Sequence, residues 1–351
     1  MENKFEIRSL VRANVAGMAA YSSARDEFSS EGEGLVFLDA NENPFENGLN
    51  RYPDPQQQAL KRELASLKGV DPRQILLGNG SDEVLDLLFR AFCEPGVDNI
   101  LTLAPTYGMY KVLARLNNIE ERELLLDEGF QPIVEKVLSA ADDRSKILFL
   151  CSPNNPTGNS FSEESVEALL KGFPGLVVID EAYIDFSAKQ SWLRRLEAFP
   201  NLVIVQTFSK AYGLAGIRLG IAYASEELIA LLNKIKPPYN INILTQQAAL
   251  KALGQQDILR RQIEQLLAQR SFLEQSLKEI GFVSRVYPSD ANFILAEVDD
   301  ARKRYLSLLE CGIVVRDRSN QPGCKNCLRF TVGTQEENAK LVTTIKELEK
   351  N

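Results

Sequence analysis

Short runs of aliphatic and β-branched residues, separated by amphipathic segments, constrain this chain more than any other feature. The runs lie at 75–77, 100–103, 121–125, 147–150, 176–179, 202–206 and 219–223. Helical spacing of apolar residues fills the gaps at 55–67, 81–92, 107–116, 131–139, 163–172 and 225–234. Several runs are almost wholly apolar, as strands covered on both faces must be. Such alternation predicts an α/β fold with a mostly parallel, doubly wound central sheet. Pro237-Pro238 interrupts the pattern. One long helical segment, 243–279, then leads to elements at 281–287, 291–297, 301–310, 313–316, 327–332 and 335–349, a smaller α+β domain. Ahead of the large domain, residues 35–38 read as a short strand entering the polar loop Asp39-Ala-Asn-Glu-Asn-Pro44. The expected organisation is an N-terminal arm over 1–34 packing with the small domain, a large domain over 35–242, and a small C-terminal domain over 243–351 that includes the connecting helix. At 351 residues the chain can bury cores for both domains.

Composition enters mainly by exclusion. The chain contains no histidine. That removes Ser-His-Asp and Cys-His nucleophiles, imidazole-ligated metals and imidazole acid–base work, and leaves proton transfer to Lys, Tyr, Asp, Glu or Cys. A net charge of −8 gives no general attraction to nucleic acid or acidic membranes. No apolar run is long enough to span a bilayer, and the start shows no secretory pattern, so the cytoplasm is the expected compartment. Five scattered cysteines do not form a disulfide framework. Cys324-Lys-Asn-Cys327 would supply only half of a structural zinc shell, so no metal is expected.

Chemistry gathers at the ends of the expected strands, where open α/β sheets keep their ligands. After the run at 202–206 comes Thr207-Phe-Ser-Lys-Ala-Tyr-Gly-Leu-Ala-Gly-Ile-Arg218-Leu-Gly220, with Lys210 alone among small and apolar residues. Poor solvation and nearby cations depress a lysine pKa, and the neutral amine can then form a Schiff base. Arg218 is one such cation, and Ser209 places a hydroxyl beside the amine. Gly78-Asn-Gly-Ser-Asp82 couples glycines to a helix start, an anion-binding arrangement, although a serine N-cap explains it equally well. Tyr107 follows the run at 100–103 and could stack on an aromatic ligand, or simply pack in its loop. Ser152-Pro-Asn-Asn-Pro-Thr-Gly158 is more constrained than an ordinary turn requires and could hold an amide in fixed orientation. Asp180, at the end of 176–179, needs a cation or donors if buried. A protonated pyridine nitrogen would meet that need, with Tyr183 free to bond a phenolate oxygen; a helix N-cap is the plainer reading. Arg329 lies among β-rich apolar residues near Arg316-Asp-Arg318, where a guanidinium calls for an anion.

Together these segments resemble the fold-type-I pyridoxal-phosphate aminotransferases, and more closely the histidinol-phosphate aminotransferase family. Leu38-Asp-Ala-Asn-Glu-Asn-Pro44, Asn50-Arg-Tyr-Pro-Asp-Pro55 and the Lys210, Asn155 and Arg316 to Gly333 segments carry the likeness, which covers nearly the whole chain. The resemblance implies pyridoxal 5'-phosphate as cofactor, bound covalently by Lys210, which also moves the proton between substrate and cofactor carbon. It implies Asp180 at the ring nitrogen, Asn155 and Tyr183 at the phenolate oxygen, and Tyr107 on the ring. Ser81, Asp82, Ser209 and Arg218 would hold the cofactor phosphate, with Tyr52 of the partner subunit in a homodimer that shares its active sites. Tyr21, Asn41, Asn155, Arg316 and Arg329 would meet substrate anions.

The implied reaction moves an amino group from histidinol phosphate, a phosphorylated amino alcohol, to 2-oxoglutarate, with glutamate and imidazole-acetol phosphate as products. It proceeds in ping-pong order through pyridoxamine phosphate and belongs to histidine biosynthesis. The same residues admit an aromatic amino-acid aminotransferase or a phosphothreonine-type decarboxylase. A non-catalytic regulatory module would show a DNA-binding appendage or lack the lysine. A dehydrogenase would need a third glycine after Gly78-Asn-Gly. The arm departs from the family at Ala13 and Ala20, where prolines are expected; their loss would free the arm over the substrate.

Overall fold

The alternating runs assemble into one sheet. In the computed structural model, which describes residues 5–20 and 36–349, its strands are β1 (Ile75–Asn79), β2 (Asn99–Ala104), β3 (Glu120–Leu125), β4 (Ser145–Cys151), β5 (Leu176–Asp180), β6 (Leu202–Thr207) and β7 (Leu219–Tyr223). Their order is β1-β7-β6-β5-β4-β2-β3. Parallel pairing joins β3, β2, β4, β5 and β6, whereas β7 runs antiparallel to both neighbours, β6 and β1. Helices α1 (Ile7–Leu10) and α2 (Ala13–Gly17) precede the sheet. Helices α3 (Gln58–Lys68), α4 (Gly80–Phe92), α5 (Met109–Leu116), α6 (Val134–Ala140), α7 (Glu163–Gly172) and α8 (Glu226–Ile235) accompany its strands.

Both faces of the sheet are buried, which explains the unbroken apolar runs. Successive side chains of a strand point to opposite faces. Ile147 and Phe149 of β4 therefore join Val84, Leu88 and Phe92 of α4, while Leu148 and Leu150 join Leu169 and Leu170 of α7. A strand with only one buried face would show polar residues at every second position.

The smaller domain follows α9 (Ile243–Leu253) and α10 (Gln256–Lys278). Its strands β8 (Val283–Val286), β9 (Phe293–Val298), β10 (Arg316–Asp317) and β11 (Cys327–Thr331) form an antiparallel sheet in the order β10-β11-β9-β8. Helices α10, α11 (Ala301–Glu310) and α12 (Gln335–Glu349) cover it through Leu273, Leu277, Leu308 and Leu341. Tyr183, Ala211 and Phe293 pack together, so residues of the large-sheet loops meet the small sheet directly.

Three expectations from the sequence need correction. The segment 243–279 is two helices, because Gly254 ends α9 with its N–H bonded to the Leu250 carbonyl at 3.1 Å. Glycine is a poor helix interior residue and an easy stop. The described residues 36–38 form no strand, and Val36 and Leu38 are exposed. β-propensity expresses itself only where a strand has something to pair and pack against. The described part of the arm packs on the large domain rather than the small one. Ile7 is buried against the α4–α8 side, Arg12 Nε pairs with Glu94 at 3.1 Å, and Arg8 Nε pairs with Glu227 at 2.9 Å. No helix among the described residues is long and apolar enough to cross a membrane.

Candidate active site

The carboxyl ends of β5 and β6, the start of α4 and the edge strand β10 surround one cavity of about 550 Å³. Its volume suits a small organic ligand. The large domain contributes Ser81, Asp82, Tyr107, Asn155, Asp180 and Tyr183 to its lining. Ser209, Lys210 and Arg218 add to these, and the small domain adds Arg316 and Arg329. Residues from Ser81 to Arg329 thus converge on one place, which no local pattern could establish.

Asp180 ends β5 and is buried. Its Oδ2 accepts from the Tyr110 hydroxyl at 3.0 Å and its Oδ1 from the Ala182 N–H at 3.1 Å. Burial pushes its carboxyl up to about 6, against the lowering effect of those two bonds. No cation among the described residues makes an ion pair with it. A buried carboxylate without a cation is a costly arrangement. Tyr110, on α5, is itself held by stacking on Phe149, with ring centroids 4.7 Å apart and planes 12° apart. In the sequence Tyr107 alone is singled out in this segment. Helical spacing is the signal for Tyr110, which sits three residues on and one turn deeper.

Lys210 follows β6 and opens onto the cavity. Its amine is 5.5 Å from the centre of the Tyr183 ring. The surrounding protein lowers its pKa by desolvation, and Arg329 and Arg218 act in the same direction, while Asp180 opposes them. The amine is therefore more readily neutral than an ordinary lysine.

At the other end of the cavity, the first turn of α4 is left without a side-chain cap. Ser81 is inside the helix rather than its N-cap; the Gly80 N–H donates to the Arg218 carbonyl at 2.8 Å, and the Ser81 and Asp82 amides next along the first turn carry no side-chain cap. The backbones of β7 and α4 approach so closely that a Cβ on Gly220 would strike the Ser81 amide and the Gly80 carbonyl. Gly80 has φ +74°, and a side chain there would meet the Arg218 guanidinium. Arg218 Nη2 lies 3.6 Å from Asp82 Oδ2, and Asp82 Oδ1 accepts from the Tyr107 hydroxyl at 3.0 Å. Ser209 accepts from the Thr207 hydroxyl at 3.1 Å.

The third side of the cavity is cationic. Arg316 of β10 stands opposite Arg329 of β11 in register. Arg329 Nη1 donates to Asn155 Oδ1 at 2.5 Å, and Asn155 Nδ2 donates to the Tyr183 hydroxyl at 3.4 Å. Burial lowers the Arg329 pKa to about 10, and Arg318 and Arg316 add to the effect. Arg318 also lines the cavity, although in the sequence it stands out only as a neighbour of Arg316.

Two expected site residues lie elsewhere. Tyr52 and Asn41 line a separate groove with Glu42, Asn242 and Leu244. Tyr52 is 52% exposed and stacks on Tyr239 with centroids 4.5 Å apart. Asn41 is thus not part of the Lys210 cavity in the single chain; its loop runs over the surface, with the Tyr52 N–H fastened to Glu42 Oε1 at 2.7 Å. Tyr21 lies outside the described residues. Cys324 and Cys327 are buried free thiols. No group of metal-binding side chains occurs among the described residues.

An amine and a buried, cation-less carboxylate on adjacent strand ends of such a sheet serve a narrow range of chemistry, and fold-type-I pyridoxal-phosphate enzymes are the class that uses both. The fit to that cofactor is good on this structure's own terms: Asp180 lacks the cation that a pyridinium nitrogen would provide, and the Arg218 guanidinium stands beside the uncapped start of α4, where Ser81 and Asp82 line the cavity, a setting suited to a phosphate.

The aminotransferase class I and II family matches residues 38–345. A histidinol-phosphate aminotransferase from Christiangramia forsetii is 61% identical over 98% of this chain and 99% of its own length. Among solved structures, the histidinol-phosphate aminotransferase from Clostridium acetobutylicum is similar at a TM-score of 0.80 and 27% identity, covering 86% of this chain and 92% of that one. The enzyme of the same name from Sinorhizobium meliloti, in complex with pyridoxal 5'-phosphate, is similar at a TM-score of 0.78 and 25% identity, over 86% of this chain and 83% of that one. The chain belongs to the histidinol-phosphate aminotransferase family of the class I and II aminotransferases, and is a pyridoxal-phosphate-dependent transaminase.

Proposed function

We propose that this enzyme transfers the amino group of L-histidinol phosphate to 2-oxoglutarate, yielding imidazole-acetol phosphate and L-glutamate, a step of histidine biosynthesis in the cytoplasm. The observation that carries this reading is the arginine pair at the cavity. Arg316 and Arg329 face each other in register beside Lys210, and neither has an ion-pair partner among the described residues. Unneutralised guanidiniums next to a reactive amine call for an anionic substrate. Mixing the cofactor-loaded enzyme with histidinol phosphate or with phenylalanine, and following the cofactor absorbance, tests the choice of donor. Faster change with phenylalanine would favour an aromatic aminotransferase.

When bound, the cofactor supplies a carbonyl carbon for covalent attachment and a conjugated ring that accepts electron pairs. The chain would do the rest. Lys210 would hold the carbonyl carbon, and its freed amine would carry the proton between the substrate carbon and the cofactor carbon. Its depressed basicity would keep a usable fraction neutral. Asp180 would hold the protonated ring nitrogen, and Tyr110 and the Ala182 amide keep Asp180 in place. Asn155 and Tyr183 would serve the phenolate oxygen, and Tyr107 the ring. Ser81, Asp82, Ser209 and Arg218 would hold the phosphate.

Arg316 and Arg329 divide the anion work. Histidinol phosphate has no α-carboxylate, so its phosphate must anchor it, whereas glutamate brings two carboxylates. Loss of one charged hydrogen bond in a partly buried site costs about 1.5–3 kcal/mol, roughly tenfold or more. Arg316→Ala should therefore slow the histidinol-phosphate half-reaction more than the glutamate one, and Arg329→Ala should slow both. Equal losses in both variants and both half-reactions would remove this division.

A homodimer with shared sites goes with this reading. Tyr52 is outside its own chain's cavity, half exposed and held rigidly by Tyr239, which supports its donation to the cofactor phosphate of the partner subunit. Asn41 lines the same groove as Tyr52 and would reach substrate from the same neighbour, while Tyr21 is part of the proposed substrate contacts. Lys210→Ala and Tyr52→Phe chains, each nearly inactive alone, should regain activity when mixed and allowed to exchange, because one intact composite site forms in each heterodimer. Absence of recovery under demonstrated exchange would return Tyr52 to its own subunit. The division into an arm over 1–34, a large cofactor-binding domain over 35–242 and a small domain over 243–351 is part of the same proposal.

A further inference from the structure

We propose that Arg318 is a third substrate-binding arginine, which grips the donor's phosphate together with Arg316 and sets the site's preference for a dianion over a carboxylate. The proposal rests on the reading of the donor given above. Its first support is register. Arg316 pairs with Arg329 across β10 and β11, and the ladder continues through the Arg318 N–H, which donates to the Cys327 carbonyl at 2.8 Å. Along a strand, alternate residues share a face. Arg318 therefore comes to the same face as Arg316 and Arg329, and all three line the Lys210 cavity.

The second support is unused bonding capacity. Arg318 Nε is buried without a hydrogen-bond partner, as is Arg329 Nε. Buried polar groups are rarely left unpaired, and those that are mark an absent partner or a site of function. The neighbouring acid does not fill the gap, since Asp317 Oδ1 accepts from the Ser319 N–H at 2.9 Å and neither carboxylate oxygen pairs with Arg318. Arg318 also has its pKa lowered, first by burial and then by Arg316, against the opposing effect of Tyr183, Cys324 and Asp317.

The third support is stoichiometry. Arg329 already spends one Nη on Asn155 and belongs to the end of the cavity near Lys210. A phosphate dianion offers three oxygens and two charges, more than one planar guanidinium can satisfy. Two arginines one strand-repeat apart match that demand. A carboxylate, with two oxygens and one charge, is served by Arg316 alone.

The test uses the full-length, cofactor-loaded enzyme and the variants Arg318→Gln and Arg318→Lys. Half-reactions are followed with histidinol phosphate, unphosphorylated histidinol and glutamate, and inhibition by inorganic phosphate is measured in parallel. For Arg318→Gln we expect kcat/KM to fall at least tenfold with histidinol phosphate and less than threefold with histidinol and glutamate, and phosphate inhibition to weaken by a similar tenfold. Arg318→Lys, which keeps the charge but loses the planar fork, should fall between. Equal losses with all three substrates would assign Arg318 to the fold, and unchanged phosphate inhibition would overturn its role outright. Should the glutamine variant not fold, the lysine variant decides on the same comparison. If the parent enzyme ignores histidinol phosphate, the donor assignment fails, and phosphate inhibition still judges Arg318.

Discussion

Lys210→Ala should leave a folded protein that no longer transfers amino groups. In the proposed role two functions would disappear with the one amine: covalent capture of the cofactor carbonyl and proton transfer at the substrate carbon. Positioned proton transfer alone is worth about 10²–10⁴-fold. The environment suits the amine to this role. Desolvation lowers its pKa, Arg329 and Arg218 add to that, and the side chain opens onto the cavity instead of making a structural ion pair. Fold stability should change little, because Lys210 makes no ion pair among the described residues and is exposed to the cavity. Borohydride reduction of the loaded parent followed by peptide mapping should tag Lys210. Label on another lysine, or substantial turnover by Lys210→Ala, would refute the assignment.

Asp180→Ala should retain cofactor, through the proposed phosphate cradle and Lys210, and lose most turnover. Removing one preorganised electrostatic partner of developing charge typically costs on the order of 10²–10³-fold. Unaltered turnover would contradict the role. The same residue leaves a signature in the cofactor-free protein. An ordinary aspartate titrates near 3.8, and burial raises the folded carboxyl to about 6. Between those values the folded state binds more protons than the unfolded one, so this group's contribution to stability is present at low pH and is lost as pH rises through 6. Two pKa units correspond to about 3 kcal/mol. Cofactor-free protein should therefore lose stability from pH 4 to 7 relative to Asp180→Asn, whose side chain cannot ionise. Parallel stability curves for the two proteins would show that Asp180 is not held uncompensated.

Local features of this protein are legible in its residues because they depend only on neighbours in sequence. Fully apolar runs announced strands buried on both faces, and the β5 and β6 ends placed Asp180 and Lys210 where such sheets carry chemistry. Glycines before α4, and proline and asparagine around Asn155, marked loops shaped for more than turning. The absence of histidine confines proton transfer to lysine, tyrosine, cysteine and carboxylates.

Tertiary structure decided everything that depends on which distant residues share a space. Arg329 and Asn155 are 174 positions apart and bond directly; Tyr110 and Asp180 are 70 apart and do the same. Neither pairing has a sequence signal, since the side chains meet only after the small sheet docks on the large one and α5 packs back on β4. Val36 and Leu38 have the composition of a strand but stay exposed, and the arm lies on the α4–α8 face, where Ile7 is buried and Arg8 and Arg12 meet acids. Arg318 shows the division most clearly. Its identity is plain in the sequence, but its face, its burial and its unused Nε follow from the β10–β11 register, which only the folded chain fixes.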